Sequence, residues 1–133
     1  MKTRRVGWLV ILPFCLGVLA PAIALAADPS KVLTVIAVKV SGDRQVYYQK
    51  IKALQAITKR LGTPAPRVWR ASFAGDGADT IIVGTEYASL AALAEAQAKL
   101  DADPEWSKLI RELDTSGIRT LIGRSLYVEE TPK

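Results

Sequence analysis

The side chains able to act as chemical reagents are few in this 133-residue chain. Histidine and asparagine are absent, and Cys15, the sole cysteine, lies inside an N-terminal apolar run. A Ser-His-Asp triad, a histidine-rich zinc centre and thiol chemistry in a processed chain are therefore excluded. Asp101, Asp103 and Glu105 cluster, but without the spacing of a calcium loop. Asp103 reads instead as a helix cap ahead of Pro104, and Glu105 as a favourable first-turn charge. No metal site and no cofactor is expected. The ligand-binding candidates are Trp69, Arg70, Arg124, Glu86 and Tyr48. Either arginine offers a planar fork of donors suited to a carboxylate or phenolate, while Trp69 and Tyr48 offer aromatic faces. The plainer alternative is an ion pair for each arginine, within the chain or across a dimer, and packing for the aromatics. Trp106 reads as structural.

Alternation along the strands places these groups. Arg70 shares a face with Ser72, and Arg67, Trp69, Ala71 and Phe73 take the other. On the last strand Arg124 falls with Ile118, Thr120, Ile122, Leu126 and Val128, whereas Arg119, Leu121, Gly123, Ser125 and Tyr127 point the opposite way. An arginine in so apolar a row needs a partner, because an unpaired buried charge is very costly; Glu86 is one candidate.

The first 27 residues have the form of a secretory signal. Lys2, Arg4 and Arg5 precede an apolar run from Trp8 to Ala20, and Ala24-Leu25-Ala26 has the small-x-small shape of a cleavage site. This places residues 28–133 in the periplasm or the medium. An uncleaved membrane anchor is the competing reading, which Pro13 and Pro21 disfavour. Thr3-Arg4-Arg5 begins like a twin-arginine signal, but Gly7 stands where a bulky apolar residue is usual. Phe14 precedes Cys15 in mid-run, unlike a lipoprotein cysteine.

Removing the leader changes the charge argument. The full chain carries 18 Lys and Arg against 13 Asp and Glu, and three of the cations belong to the leader. The small remainder does not make a nucleic-acid-binding surface. The sign is uneven along the chain: residues 27–72 hold nine cations and two anions, and the remainder six cations and eleven anions. Ordinary surface charge accounts for this; an alternative is that the halves meet across subunits. About a hundred residues suffice for one domain with one core. Lacking cysteine, that domain must be held by packing alone.

Val32 to Val40 is apolar on both alternating faces and reads as a strand covered on both sides. After Ser41-Gly42-Asp43, the spacing of Tyr47, Ile51, Leu54, Ile57 and Leu61 predicts an amphipathic helix, stopped at Gly62. Residues 67–74 and 79–87 read as antiparallel strands around a Gly75-Asp76-Gly77 turn. Ser89 to Leu100 predicts an alanine-rich helix anchored by Leu90, Leu93 and Leu100. Asp103-Pro104 restarts the helix through Trp106, Leu109, Ile110 and Leu113, and Ile118 to Val128 is a last strand. This order predicts an α+β, ferredoxin-like βαββαβ antiparallel sheet with its helices on one face. The other face, apolar along Val32–Val40, predicts a symmetric homodimer formed face to face.

The stretch Val83-Gly84-Thr85-Glu86-Tyr87-Ala88-Ser89-Leu90, then an alanine-rich helix and Asp103-Pro104-Glu105-Trp106, resembles the dimeric α+β-barrel superfamily in its NIPSNAP-like and antibiotic-biosynthesis-monooxygenase-like branches. The resemblance spans most of residues 32–128, and its motif is structural. Members that bind haem typically use histidine, which is absent. The cofactor-free oxygenases bind an aromatic substrate in the barrel beside asparagine, tryptophan and arginine; Trp69, Arg70 and Arg124 are present, asparagine is not. The expectation is an exported homodimer that binds a small, partly apolar molecule between its sheets. The alternatives are a cofactor-independent oxygenase or isomerase, and a structural or partner-binding module.

Overall fold

The computed structural model describes residues 30–72, 75–77 and 79–132; the leader expected at residues 1–27 lies outside them. Strand β1 (Val32–Val40) occupies an inner position and pairs antiparallel with β3 (Ile81–Tyr87) and β4 (Arg119–Val128). Strand β2 (Arg67–Arg70) pairs antiparallel with the far side of β3, so the order across the sheet is β2-β3-β1-β4. The two inner strands are the ones richest in β-branched residues, which suit a buried pleated surface. Helix α1 (Arg44–Leu61) follows β1, and α2 (Leu90–Asp101) and α3 (Pro104–Thr115) together follow β3. This is the ferredoxin-like α+β arrangement, with its second helix in two pieces. Among the described residues no helix is long and apolar enough to cross a membrane.

Each helix begins at a side-chain cap. Asp43, Ser89 and Asp103 accept hydrogen bonds from the backbone N–H groups of Gln45, Ala92 and Trp106 respectively, satisfying donors that have no partner in the first turn. Gly62 ends α1 in the left-handed conformation at φ 67°. The hairpin strands are shorter than their sequence patterns suggested: β2 ends at Arg70 and β3 begins at Ile81. Between them Gly75–Gly77 form a short 3₁₀ turn, and the Ala71 N–H donates to the Thr80 carbonyl at 2.9 Å. Asp79 adopts φ 70°, a conformation aspartate tolerates better than most residues.

The helices cover one face of the sheet and bury two separate apolar clusters. The larger joins Val38, Ile81 and Val83 of the sheet to Tyr47, Ile51, Leu54 and Ile57 of α1 and Leu109 and Leu113 of α3. The smaller joins Val32 and Tyr87 to Ala96 of α2. Leu90, expected as an anchor of α2, is 48% exposed, and Ala96 lies inside instead.

The bare face carries Leu33, Val35, Ala37 and Ile82, with Trp69 beside them and Tyr127 opposite Leu33. Trp69 leans over Gly84, where a Cβ atom would come 2.8 Å from the indole ring, so this position needs glycine for the ring to lie as it does. The apolar open face predicted from the sequence is therefore present.

Strand β4 departs from simple alternation. Gly123 stands opposite Ala37 and Leu121 opposite Val38, leaving Ile122 as the extra residue of a β-bulge. Arg124, Leu126 and Val128 lie on the helix side with Ile36, Thr34 and Val32; beyond the bulge, Arg119 and Leu121 lie on that side too, opposite Val40 and Val38. The expectation that Arg119 and Leu121 oppose Arg124 is thus corrected.

The uneven charge of the two halves is met within one chain. Lys31 pairs with Glu86 at 3.7 Å, Arg44 with Asp79 at 2.9 Å and Lys50 with Glu112 at 2.9 Å, while Arg60 reaches Asp103 at 2.8 Å and Glu105 at 3.0 Å. The last pair ties the end of α1 to the start of α3.

A cavity where the second helix is broken

The break between α2 and α3 at Ala102–Asp103 leaves the middle of the sheet incompletely covered. A cavity of about 520 Å³ opens there, within the ~300–1,000 Å³ typical of small-molecule sites. Its floor includes Ile36, Val83 and Leu126 of the sheet; α1 contributes Ile51 and Leu54, α2 Leu93 and Leu100, and α3 Trp106 and Ile110. The walls thus draw on residues that pack with both apolar clusters.

Several of the polar groups that line the cavity are already engaged. The Thr34 hydroxyl donates to the Thr85 carbonyl at 3.3 Å, and the Thr58 hydroxyl to the Gln55 carbonyl at 2.9 Å. Gln97 Nε2 donates to Asp101 at 2.7 Å. Arg119, whose side chain is 6% exposed, donates to Asp114 at 2.7 Å. Burial raises the Tyr87 phenol above its ordinary 10.0, with hydrogen bonding to Thr85 and Thr34 acting the other way. Arg124 differs: it lines the cavity from an exposed position on β4 and has no carboxylate partner among the described residues.

Of the five candidates read from the sequence, Arg124 alone reaches this space. Trp69 lies on the bare face over Gly84. Arg70 is exposed at the end of β2, opposite Ile81. Tyr48 packs half-buried against the larger cluster, its ring centroid 6.4 Å from that of Tyr47. Glu86 stands opposite Leu33 on the bare face and pairs with Lys31, so it is not the partner of Arg124. This cavity lies on the helix side of the sheet, within one chain. Trp106, read as structural, both packs against the core and lines the cavity. Thr34, Thr85, Tyr87 and Gln97 also line it; none of them was read from the sequence as a binding residue, Thr85 and Tyr87 having entered only as part of a structural motif. The helix restart at Asp103-Pro104 was the available sign that the helical layer is interrupted above them.

No protein-family model matches the chain, and no curated protein matches it either. Solved structures do. A point mutant of SnoaB, a cofactor-independent oxygenase from Streptomyces nogalater, superposes with a TM-score of 0.57 at 14% identity, covering 77% of this chain and 95% of that one. A conserved protein of unknown function from Bacteroides thetaiotaomicron, described as a possible oxidoreductase, gives 0.55 at 12% identity over 76% and 99% of the two chains. A NIPSNAP family protein from Agrobacterium tumefaciens gives 0.52 at 18% identity over 77% and 93%. The strand order, the helices on one face and these superpositions together show that the chain has the ferredoxin-like α+β fold found in SnoaB and in NIPSNAP family proteins.

Proposed function

We propose that this is an exported, homodimeric binding protein that takes a small, partly apolar molecule into the cavity between its sheet and helices, with Arg124 holding the polar end. The observation that carries this reading is a core divided into two clusters beside an apolar cavity, edged by an arginine without a described carboxylate partner. An apolar occupant would extend the packing between the clusters and stabilise the folded state by mass action. Export rests on the leader at residues 1–27, and dimerisation on the bare apolar face around Val35 and Trp69. No nucleic-acid contact is part of the proposal, and membrane contact is limited to the leader.

Native mass spectrometry of the protein, purified gently from the exported fraction of its own host, tests these points together. The expected result is a dimer that has lost the leader and retains a small additional mass. A monomer, or a protein that keeps its leader, refutes the corresponding part of the proposal. A dimer that neither retains nor takes up any small molecule refutes the binding function.

Catalysis by a cofactor-independent oxygenase or isomerase is a second reading. It is favoured by Arg124 in a cavity shared with Tyr87 and Trp106, and by the fold shared with SnoaB. Oxygen uptake in the presence of an enolisable aromatic compound would distinguish it from binding alone.

A further inference from the structure

We infer that the ligand of this cavity is a single-headed aliphatic amphiphile, a monocarboxylate with a medium-length alkyl chain, its carboxylate at Arg124 and its tail directed inward between α1, α3 and the sheet. The inference rests on the binding function proposed above and names its substrate class.

Three observations determine this class. The hydroxyls of Thr34 and Thr58 are held by backbone carbonyls, Gln97 is held by Asp101, and Arg119 by Asp114. The part of the ligand that enters finds few polar groups free to receive it, so polar substituents there would lose hydration without adequate replacement. The apolar part of the lining, second, is made chiefly by branched aliphatic side chains, including Ile36, Ile51, Leu54, Leu93 and Ile110, with Trp106 and Tyr87 as the two aromatic rings. Such walls conform to a flexible chain better than to a rigid planar ring system, which calls for flat surfaces on both sides.

Third, charge and exposure orient the molecule. Arg124 stands on the exposed edge strand, so a carboxylate can pair with it while keeping part of its hydration. Arg119, the other cavity arginine, is already neutralised by Asp114, and Asp101 adds a negative charge to the lining. A second anionic group on the ligand therefore has no cation to meet. A head at the edge and a tail in the interior satisfy both halves of the site.

Isothermal titration of the natively processed protein with octanoate, decanoate and dodecanoate, each below its micellar concentration, tests the class. Decanol serves as the uncharged control and 1-naphthoate as the rigid aromatic carboxylate. Burial of the tail predicts affinity rising about fourfold per added methylene until the cavity is full. Decanol should bind about 10- to 100-fold more weakly than decanoate, and Arg124→Gln should weaken decanoate by a similar factor while leaving decanol unchanged. Arg124 is exposed and unpaired among the described residues, so this variant should fold normally, as circular dichroism would verify. Affinity independent of chain length, or unaffected by Arg124→Gln, overturns the inference. Tighter, Arg124-dependent binding of naphthoate overturns the aliphatic class and leaves the cavity reading standing. If none of the probes binds and native mass spectrometry finds no retained molecule, both readings fall.

Discussion

Replacing Tyr47 by phenylalanine should make this protein more stable, although it removes a polar atom from the heart of the core. The Tyr47 side chain is fully buried, and its hydroxyl has no hydrogen-bond partner of good geometry. Arg119 lies nearby, but its guanidinium donates to Asp114 at 2.7 Å. A buried hydroxyl left unpaired costs ~1–3 kcal/mol relative to one hydrated in the unfolded chain. Phenylalanine keeps the ring and its contacts with the larger cluster, and leaves only the small volume of one oxygen atom. The net gain should be about 1 kcal/mol, or a rise in Tm of roughly 4–8 °C for a domain of this size. Urea unfolding should show a higher midpoint with an unchanged m-value. Titration gives an independent check. Burial raises the phenol above its ordinary 10.0, while the neighbouring Arg119 guanidinium acts to lower it and Tyr48 adds a smaller rise. The native state therefore holds this proton more tightly than the unfolded chain, so stability is intact below pH 10 and falls as the pH rises through the raised folded value. Tyr47→Phe should reduce that alkaline loss. A variant destabilised by ~1 kcal/mol or more would refute the reasoning, because it would mean that the hydroxyl is bonded in solution.

Two other substitutions address the bare face and the helix break. Val35→Glu places a carboxylate at the centre of the open sheet face, where Val35 stands opposite Gly84 and Ser125. It should convert the proposed dimer to folded monomers in analytical ultracentrifugation, and a dimer left unchanged would place the interface elsewhere. At Asp103 the Trp106 backbone N–H, with Arg60 adding to it, holds the carboxyl below its ordinary 3.8 against the opposing effect of burial. Its stabilising effect is thus present above pH 3.8 and is lost as the pH falls through the lowered folded value. Asp103→Asn keeps a capping side chain but loses the charge, so it should slightly lower stability at neutral pH and flatten the acid limb of unfolding followed by circular dichroism. An acid limb identical to that of the parent protein would remove Asp103 from the account.

The elements were legible in the sequence because each carried a local physical signal. Tyr47, Ile51, Leu54 and Ile57 repeat at helical spacing and all four are buried. Asp43, Ser89 and Asp103 accept capping bonds, and Asp103-Pro104 marks the helix restart at which α3 begins. The site was less legible because it depends on register and on neighbours far apart in the chain. Arg124 could be selected as an arginine in an apolar row. Glu86 could not be rejected as its partner until strand pairing placed the two on opposite faces. Trp69 and Tyr48 have suitable chemistry but stand outside the cavity, since residue type does not say which surfaces enclose space. The position of the cavity follows from where α2 ends relative to the sheet beneath it, a three-dimensional relation with only an indirect trace in the residue pattern.

The bulge at Ile122 also has a consequence for how β4 can change in length. Ile122 is one residue more than the pairing with Ala37 and Val38 requires. Loss of that codon would let the ladder run straight while Arg119, Leu121 and Arg124 keep their present sides. Removing Ser125, between the bulge and the end of the strand, would instead turn Arg124 outward if the pairing of Leu126 with Thr34 held. Two deletions only three codons apart would therefore have opposite outcomes, one conserving the charge beside the cavity and the other transferring it to the apolar surface opposite.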